Sequence, residues 1–436
     1  MEAPRRCSLT GKESSARRRL ESIARHLLPP EILVRDLYPN PLSAEELSSW
    51  DPAPVIIGGM VLDIHAKPSA HPVPGTTTPG KVQYVSGGVA RNVAECMSKL
   101  GNKPFMISVV GHDMAGDLLL KYWKSAGLPT KGILKLEGII TPVVSNIFDS
   151  SGELAMAVAS VEAVETFLTP GWIQQFWHII CSAPLLMVDA NLNSRSLEVA
   201  CQTAAGSGIP VWFEPVSVTK SRRIASVVNY ITCASPNENE LVAMANALSP
   251  GKEYSYIQHE ALKGKRHSVE SLFEMLKPAM CLLLQKGIKL LVVTLGSDGL
   301  FLCCGEGLSF MKDDLRSSRV GSFGRQLYDL VNESCSSKKH INFIKSGERS
   351  SKFFAFHYPA LPASVVSLTG AGDCLVGGIL ASICNGLDVM QSVAVGIAVA
   401  KAAVETQTNV PAKFSPRTVA DAAKQILSAA KVFQLE

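Results

Sequence analysis

The chain has 436 residues, 47% of them hydrophobic and 18% charged, which is enough apolar material for one large domain or two ordinary ones. Its net charge of +4 is too small to indicate nucleic-acid binding, and no apolar run approaches the roughly 20 residues that a membrane helix needs. The 11 cysteines are odd in number and include no C-x-x-C pair, so we expect reduced core cysteines and neither a disulfide framework nor a zinc site.

Residues 1–50 are Arg-rich and Pro-broken, unlike the rest of the chain, and we expect an N-terminal targeting or extension segment. A secretory signal is excluded because no apolar core follows the basic start. The stretch RLESIARHL (Arg19–Leu27) resembles the N-terminal peroxisomal targeting signal, in which five residues separate R-L from H-L. We therefore expect a peroxisomal import receptor to bind Arg19–Leu27. The cytoplasm or another organelle is the alternative, although Glu2, Glu13 and Glu21 disfavour a transit peptide.

From Val55 onward, apolar β-branched runs alternate with amphipathic helical stretches. Examples of the strand-like runs are PVIIGG, KPFMISVVG, PLLMVDA, IPVWFEP and LLVVTLG, and VARNVAECMSKLG is helical. This alternation is typical of βαβ units. It predicts one α/β domain over residues 51–430, with a mostly parallel sheet flanked by helices.

Two passages interrupt this alternation. TPVVSNIFDSSGELAMAVAS consists of two alternating runs joined by a turn at residues 149–152, which predicts a hairpin. With KVQYVS it predicts a small separate sheet, a β lid over a site, formed by residues of about 61–86 and 139–160. The second passage, residues 309–352, is Ser-rich and basic and separates two strand-like runs, so we expect a disordered insertion there.

The stretch SLTGAGDCLVGG (Ser367–Gly378) lies between a strand-like run, Ala363–Ser367, and a helix-like run, Cys374–Asn385. The first N–H groups of a helix can bind an anion, and Asp373 could accept a proton from a group bound there. A simple tight turn is the alternative interpretation.

Three further stretches share the character of small residues and acids at strand ends. SGGVARNVAECMSKLGNKPFMISVVGHDMAG holds paired glycines before a helix, and PNENEL and VTLGSDG follow later. Together with TGAGD, and in this order, they resemble the motifs of the PfkB carbohydrate kinase family across Val55 to about Pro411. The resemblance implies a ribokinase-like fold.

The resemblance also implies a phosphoryl-transfer site at TGAGD. The amides of Gly370, Ala371 and Gly372 would form an anion hole for the charge that develops during transfer. Asp373 would be the general base that takes the proton from a primary hydroxyl.

The substrate-binding residues implied by the family pattern and its subgroup are Asp63, Gly87, Gly88, Asn92, Asp189 and Asn191. Asp63 is expected at the end of the first strand, where a solvent-facing acid is the alternative. For Asp189 and Asn191 the alternative is a turn in which the side chains cap their own backbone.

The nucleotide-binding residues implied are Asn237, Thr294, Gly296 and Gly299, with ATP and Mg²⁺ as cofactors. Glu240 would order Mg²⁺ through water, while N-capping by the Asn237–Glu240 pair can hold at the same time. The family commonly has Asp-Thr before TGAGD and many members bind K⁺ with that Asp. This chain has Ser367-Leu368 instead, so a K⁺ site is an open question.

Within the family, GGVARNVAE, PNENEL and VVSLTGAGD most resemble the plant-type pseudouridine kinases. The resemblance implies phosphorylation of the 5′-hydroxyl of pseudouridine by ATP, giving pseudouridine 5′-phosphate and ADP. A ribokinase or another nucleoside kinase would share the same catalytic residues, and a non-catalytic assembly protein is disfavoured by the intact Asp373. The expected partners are the nucleoside and ATP, with no nucleic acid and no membrane.

Specificity for pseudouridine would need an acceptor for its extra ring N–H, and the candidates are Asp189, Asn191 and the lid strand around Ser145-Asn146. A homodimer is left open, because a lid can serve as an interface or as a simple cover.

Overall fold

The computed structural model describes residues 51–71, 75–149, 154–251, 253–257, 267–305, 321–337 and 353–435. Its strands are β1 (Val55–Ile57), β2 (Val61–Pro68), β3 (Gly80–Gly87), β4 (Phe105–Gly111), β5 (Ile133–Leu136), β6 (Val143–Phe148), β7 (Leu154–Ser160), β8 (Leu186–Asp189), β9 (Val211–Glu214), β10 (Cys233–Ala234), β11 (Leu290–Thr294), β12 (Leu300–Gly305), β13 (Phe353–Tyr358) and β14 (Lys431–Leu435).

The α-helices of the same ranges are α1 (Val89–Lys99), α2 (Met114–Ser125), α3 (Glu162–Phe167), α4 (Pro170–Gln174), α5 (Trp177–Ser182), α6 (Ser194–Gly206), α7 (Val218–Ser221), α8 (Glu238–Leu248), α9 (Val269–Gln285), α10 (Ser322–Ser334), α11 (Ala371–Cys384), α12 (Val389–Val404) and α13 (Pro416–Ser428). Short 3₁₀ helices occupy Arg222–Ser226, Val228–Tyr230 and Gly296–Asp298. In the described ranges, no helix has the length and apolar character needed to cross a membrane.

A ten-stranded sheet has the order β14-β13-β12-β11-β10-β9-β8-β1-β4-β5. The seven strands from β11 to β5 in that order pair in parallel, and β12, β13 and β14 add antiparallel pairs at one edge. All residues of β1, β4 and β8 are buried. Because successive side chains point to opposite faces, both faces must be covered. The expected mostly parallel sheet flanked by helices is confirmed.

A second sheet has four strands in the order β3-β2-β6-β7. β2 pairs antiparallel with β3 and parallel with β6, while β6 and β7 pair antiparallel. This is the separate β lid that the alternating runs predict, although the turn itself, residues 150–153, lies outside the described ranges. The lid joins the core directly, because β3 ends at Gly87 and α1 begins at Val89.

Helices α1, α11 and α12 pack closely in the core. A Cβ on Gly377 of α11 would lie 2.7 Å from Cβ of Cys96 on α1, and a Cβ on Gly378 would lie 2.9 Å from Cα of Gly396 on α12. Such distances leave no room for a side chain at either position. The two glycines of α11 therefore set how near it lies to its two neighbours.

The expectation of a strand at Ala363–Ser367 is wrong. The strand before the turn is β13, and Ala363–Ser367 has no regular structure. The N–H groups of Val366 and Ser367 instead donate to the carbonyl oxygen of Val404 at the end of α12, at 2.7 and 3.2 Å. Both Val365 and Val366 are more than half exposed, so the apolar run there does not reflect burial in a sheet.

The expectation of disorder for residues 309–352 is wrong for its middle part, residues 321–337. These residues contain α10, whose Leu327 and Val331 are buried in the core against α11 and α13. The N–H of Gly321 donates to the carbonyl of Gly101 at 2.9 Å, and Gln391 donates to the carbonyl of Cys335 at 2.8 Å. Tertiary contacts at both ends therefore order a polar segment. Residues 309–320 and 338–352 lie outside the described ranges, as do residues 1–50.

We predict that Leu327→Ala lowers the free energy of unfolding by about 2–5 kcal/mol, because it leaves a cavity in a filled core. The exposed neighbour Gln326 is the control, and Gln326→Ala should change it by less than about 0.5 kcal/mol. Denaturant titration of both variants measures the difference. Equal stability of the two variants would show that α10 does not contribute to the core.

Candidate active site

Polar side chains collect where the parallel strands end. Asp189 and Glu214 are the last residues of β8 and β9, and Thr294 is the last residue of β11. Asn237 follows β10 and forms a single parallel bridge with Thr294. Since the carboxyl ends of neighbouring parallel strands meet at one edge, these residues share one edge of the sheet, which is where ligands bind in open α/β folds.

The start of α11 lies beside this edge. Its N-cap, Gly370, has φ of 80°, and a Cβ there would lie 2.3 Å from the carbonyl oxygen of Asn409. Only glycine fits such a conformation without displacing the backbone. Ala371, Gly372 and Asp373 form the first turn, whose N–H groups have no acceptor within the helix, although that of Ala371 donates to the carbonyl of Leu368 before it at 3.3 Å. Gly372 is exposed, with open space where a Cβ would be, so an anion can approach these groups.

Asp373 is connected to α1 by one short hydrogen bond. The side-chain amide of Asn92 donates from Nδ2 to Oδ2 of Asp373 at 2.6 Å. Burial raises the pKa of Asp373 to about 6, whereas this hydrogen bond and the charge of Arg91 act in the opposite direction. A carboxyl group with such a pKa is ionised at neutral pH and is still able to accept a proton.

Asp63 belongs to the lid. It was expected at the end of the first strand, but that strand is β1, and Asp63 lies within β2. Its Oδ2 accepts from Nδ2 of Asn409 at 2.9 Å, and burial raises its pKa. A Cβ on Gly87 would lie 2.2 Å from Oδ2 of Asp63, and one on Gly88 would lie 2.5 Å from the carbonyl oxygen of Gly59. The paired glycines thus let the lid carboxylate and the backbone come close to α1.

Asp189 is fully buried and bonded to the main chain. Its Oδ2 accepts from the N–H of Gly59 at 2.8 Å, and its Oδ1 accepts from the N–H of Asn191 at 3.0 Å. Burial raises the pKa of Asp189. Asn191 in turn accepts from Nζ of Lys220 at 2.6 Å. The self-capping turn is therefore present, and the Asp189 carboxylate holds the chain after β1 in place.

Glu240 is the buried partner of a capping box. Its carboxylate accepts from the N–H of Asn237 at 2.9 Å, and Oδ1 of Asn237 accepts from the N–H of Glu240 at 2.9 Å. Burial raises the pKa of Glu240. Within the described residues, no three His, Cys, Asp or Glu side chains are grouped to hold a metal ion directly.

Glu214 lies at this same edge, and sequence reasoning assigned it no role. Burial raises its pKa well above the usual value, with Glu240, Asp373 and Asp189 adding to the effect. Ser235 donates a hydrogen bond to Oε2 of Glu214. Two residues later, Val216 has φ of 68°, a strained value for a β-branched residue. Such strain clusters at functional sites, but no sequence signal announces it.

Gly296 and Gly299, which the sequence analysis assigned to nucleotide binding, shape the turn between β11 and β12. Gly299 has φ of 92°, and a Cβ there would lie 2.0 Å from the carbonyl oxygen of Tyr358 on β13. Gly296 has φ of 57° with open space around it. A side chain at position 299 would therefore clash with the neighbouring strand, whereas glycine at position 296 is favoured only by the positive φ of its backbone.

The comparison with known protein families gives one decisive match. Residues 54–314 and 336–411 match the family described as "pfkB family carbohydrate kinase". The chain belongs to this family. It is 50% identical over 383 residues, 88% of this chain and 98% of the relative, to a protein named "Pseudouridine kinase" from Arabidopsis thaliana. A protein of the same name from Escherichia coli is 28% identical over 46% of this chain and 63% of its own length.

The fold of this pfkB family member resembles that of solved structures. The Arabidopsis thaliana ribokinase complexed with ribose and ATP superposes with a TM-score of 0.59 at 17% identity, covering 86% of this chain and 99% of that one. A ribokinase from Thermotoga maritima gives a TM-score of 0.58 at 18% identity, over 86% of this chain and 100% of that one. The ribokinase-like fold with a separate lid is confirmed.

The residues before the start of α11 differ from those of the many family members that bind K⁺. Ser367 takes the place of the Asp that would supply the negative charge. Its Oγ accepts from the N–H of Thr369 at 3.3 Å, and its own N–H is bonded to Val404. A hydroxyl engaged in its own turn is a poor substitute for a carboxylate ligand.

We predict opposite behaviour for two neighbouring glycines of α11. Gly370→Ala should lower the free energy of unfolding by about 1–3 kcal/mol, because of its positive φ and the contact with the Asn409 carbonyl. Gly372→Ala should leave it unchanged or raise it by up to about 1 kcal/mol, since it adds helix propensity in open space. Denaturant unfolding separates the two variants, and a destabilised Gly372→Ala would contradict the geometry described.

Proposed function

We propose that this chain transfers the γ-phosphoryl group of ATP to the 5′-hydroxyl of pseudouridine. The observation that carries the proposal is the short hydrogen bond from Asn92 to Asp373, a carboxylate at the open start of α11. In this proposal Asp373 is a base and the start of α11 is the anion site beside it. The 50% identity to the Arabidopsis pseudouridine kinase supports the choice of substrate.

In this proposal Asp373 accepts the proton of the 5′-hydroxyl as its oxygen attacks the γ-phosphorus. The N–H groups of Ala371 and Gly372, at the positive end of the helix dipole, stabilise the charge on the transferring group. Asp63 and Asn92 orient the ribose from the lid and from α1. Phosphoryl transfer requires chiefly such positioning and charge stabilisation.

Asn237, Thr294 and the turn at Gly296–Asp298 would hold ATP along the edge of the sheet beyond Asp373. Glu214 and Glu240 have raised pKa values, so negative charge is costly there. Carboxylate oxygens suit Mg²⁺, and the carboxylates of Glu214 and Glu240 would hold the ion through water. When bound, the ion would neutralise the phosphate charge.

Asn146 is the best acceptor for the extra ring N–H of pseudouridine. In the lid register Asn146 lies opposite His65, two residues along β2 from Asp63, and therefore on the Asp63 face. Ser145 lies on the other face, and the carboxylate of Asp189 is already bonded to the main chain. Oδ1 of Asn191 already accepts from Lys220, so among the expected candidates we favour Asn146 as the acceptor.

We predict that the purified protein prefers pseudouridine to uridine by about 5- to 150-fold in kcat/KM, as one unpaired buried acceptor costs about 1–3 kcal/mol. Asn146→Leu should reduce this preference, while the control Ser145→Ala should retain it. Steady-state kinetics with ATP and a panel of pseudouridine, uridine, adenosine and ribose provides the measurement. A higher kcat/KM for any other member of the panel would refute the substrate assignment and leave a kinase of different specificity.

We predict that Asp373→Asn lowers kcat by about 10²–10⁴-fold with folding and nucleotide binding retained, because the amide cannot accept the proton. In the unaltered protein, kcat/KM should fall as the pH drops below about 6, since protonation of Asp373 removes the base. Initial rates between pH 5 and 8 measure both effects. Undiminished turnover of the Asn variant would exclude the mechanism.

We propose that the chain forms a homodimer in which the outer faces of the two lids pack against each other. In the lid register, side chains on both edge strands and on β6 point away from Asp63. They are exposed and apolar, namely Val82, Tyr84, Ile147, Met156 and Val158. In a twofold-symmetric dimer the same patch of both subunits meets, so these exposed side chains would cover each other. Light scattering on the purified chain tests the proposal, and a monomer at all concentrations would contradict it.

The peroxisomal address remains a proposal that rests on sequence alone. We predict that residues 1–50 fused to a fluorescent reporter direct it to peroxisomes, because Arg19–Leu27 has the R-L and H-L spacing of an import signal. The double variant Arg19→Ala/His26→Ala should leave the reporter in the cytosol. Continued import of the double variant into any organelle would favour a transit peptide.

A further inference from the structure

Arg91 is a buried cation directly beside the residue that contacts Asp373. Only 1% of its surface is exposed. Its Nε donates to the carbonyl of Gly87 and its Nη2 to the carbonyl of Ser86, both at 2.8 Å. The same guanidinium donates from Nη2 to Oδ1 of Asn92 and from Nη1 to the carboxylate of Glu95. The group thus connects the last residues of the lid strand β3 to α1.

Glu95 holds this guanidinium from the next turn of α1. Burial alone would raise its pKa, but the charges of Arg91 and Lys99 outweigh burial and the pKa is lowered, so the group is ionised. Lys99 and Tyr122 also donate to Oε1 of Glu95, at 2.5 and 2.6 Å. A buried ion pair contributes little to stability on balance. A role in specifying geometry is therefore the better explanation for this pair.

The amide of Asn92 has two orientations related by rotation, and they present opposite groups to Asp373. With Oδ1 held by Arg91, the Nδ2 group must face the carboxylate. Rotated by half a turn, the amide would present its oxygen to Asp373 and its N–H groups to the guanidinium, which is unfavourable on both sides. The guanidinium therefore selects the orientation that donates to Asp373.

We propose that Arg91, held by Glu95, is a positioning residue for phosphoryl transfer: it orients Asn92 towards Asp373 and keeps the end of the lid strand in register with that base. The proposal rests on the proposed role of Asp373 as the general base. It assigns Arg91 and Glu95 no contact with substrate or nucleotide.

The charges around Asp373 make the proposal testable. Asp63 faces it from β2, Asp189 from β8 and Glu214 from β9, all of them acids, while Arg91 on α1 is the cation. Removing the positive charge of Arg91 must raise the pKa of Asp373. Removing the negative charge of Glu95 leaves that positive charge uncompensated and must lower it.

The experiment compares the acid limb of the pH–rate profile and the plateau kcat in four variants. We expect Arg91→Gln to move the acid limb up by as much as about one pH unit and Glu95→Gln to move it down. In the double variant Arg91→Gln/Glu95→Gln, the limb should return towards its original position. In both variants that carry Arg91→Gln, the plateau kcat should be about 10- to 100-fold lower than in the unaltered protein, because Asn92 is no longer oriented.

The fourth variant, Arg91→Lys, keeps the positive charge but loses the several N–H donors of the guanidinium. It should therefore lower the plateau kcat without moving the acid limb of the pH–rate profile. Glu95→Gln and Arg91→Lys are the conservative changes and decide the question if Arg91→Gln does not fold. Lys124→Gln is the matched control, since it removes an exposed positive charge from the far end of α2 and should alter neither quantity.

Three results would overturn the proposal: acid limbs that stay in place in both Glu95→Gln and Arg91→Gln, limbs that move in the same direction, or a plateau kcat that Arg91→Gln leaves unchanged. Failure of the proposed function is distinguishable, because it would appear as full activity in Asp373→Asn. Titration of the Asp373 carboxyl by carbon NMR gives the same shifts without depending on turnover.

Discussion

The hydrogen bond between Asn92 and Asp373 is the constraint on which the site depends, because it joins residues 281 positions apart at the starts of two core helices. It can form only if α1 and α11 lie unusually near each other. Gly377 makes this possible, since a Cβ there would overlap Cys96 of α1. The apolar packing of α11 thus decides where the carboxylate lies, and the open first turn follows from the glycine N-cap.

Much of the fold could be predicted from local patterns. The parallel strands are continuous apolar runs, and the lid strands alternate, so periodicity alone separates the two sheets. Local patterns failed where tertiary contacts decide the structure. Helix α10 lies in a polar segment, and its order comes from docking on Gly101 and the core. In Ala363–Ser367 the apolar composition suggested a strand, but the end of α12 takes its hydrogen bonds.

The candidate site was predictable only in part, for a similar reason. Motif residues such as Gly370 and Asn92 carry backbone or spacing signals that the sequence displays. Others become visible only when distant elements meet, and these are Arg91, Glu95, Glu214 and Asn409. Asn409, for example, lies in an ordinary turn sequence, yet it donates to Asp63 of the lid, 346 positions away. Conversely, Asp189 has the position of a ligand-binding acid, but its oxygens are bonded to the main chain.

The distribution of charge explains why a site rich in acids can accept a nucleotide. Asp63, Asp189, Glu214 and Asp373 converge on one edge, and burial raises the pKa of each. Arg91 lowers this cost for two of these acids, Asp63 and Asp373, but its guanidinium is bonded to Glu95 and to the backbone. It is therefore not available to a triphosphate. Under the proposed function, the phosphate charge must be offset by the N–H groups of α11 and by the metal ion that accompanies the nucleotide. In that proposal Arg91 favours the ionised form of the base, and the helix start receives the phosphate.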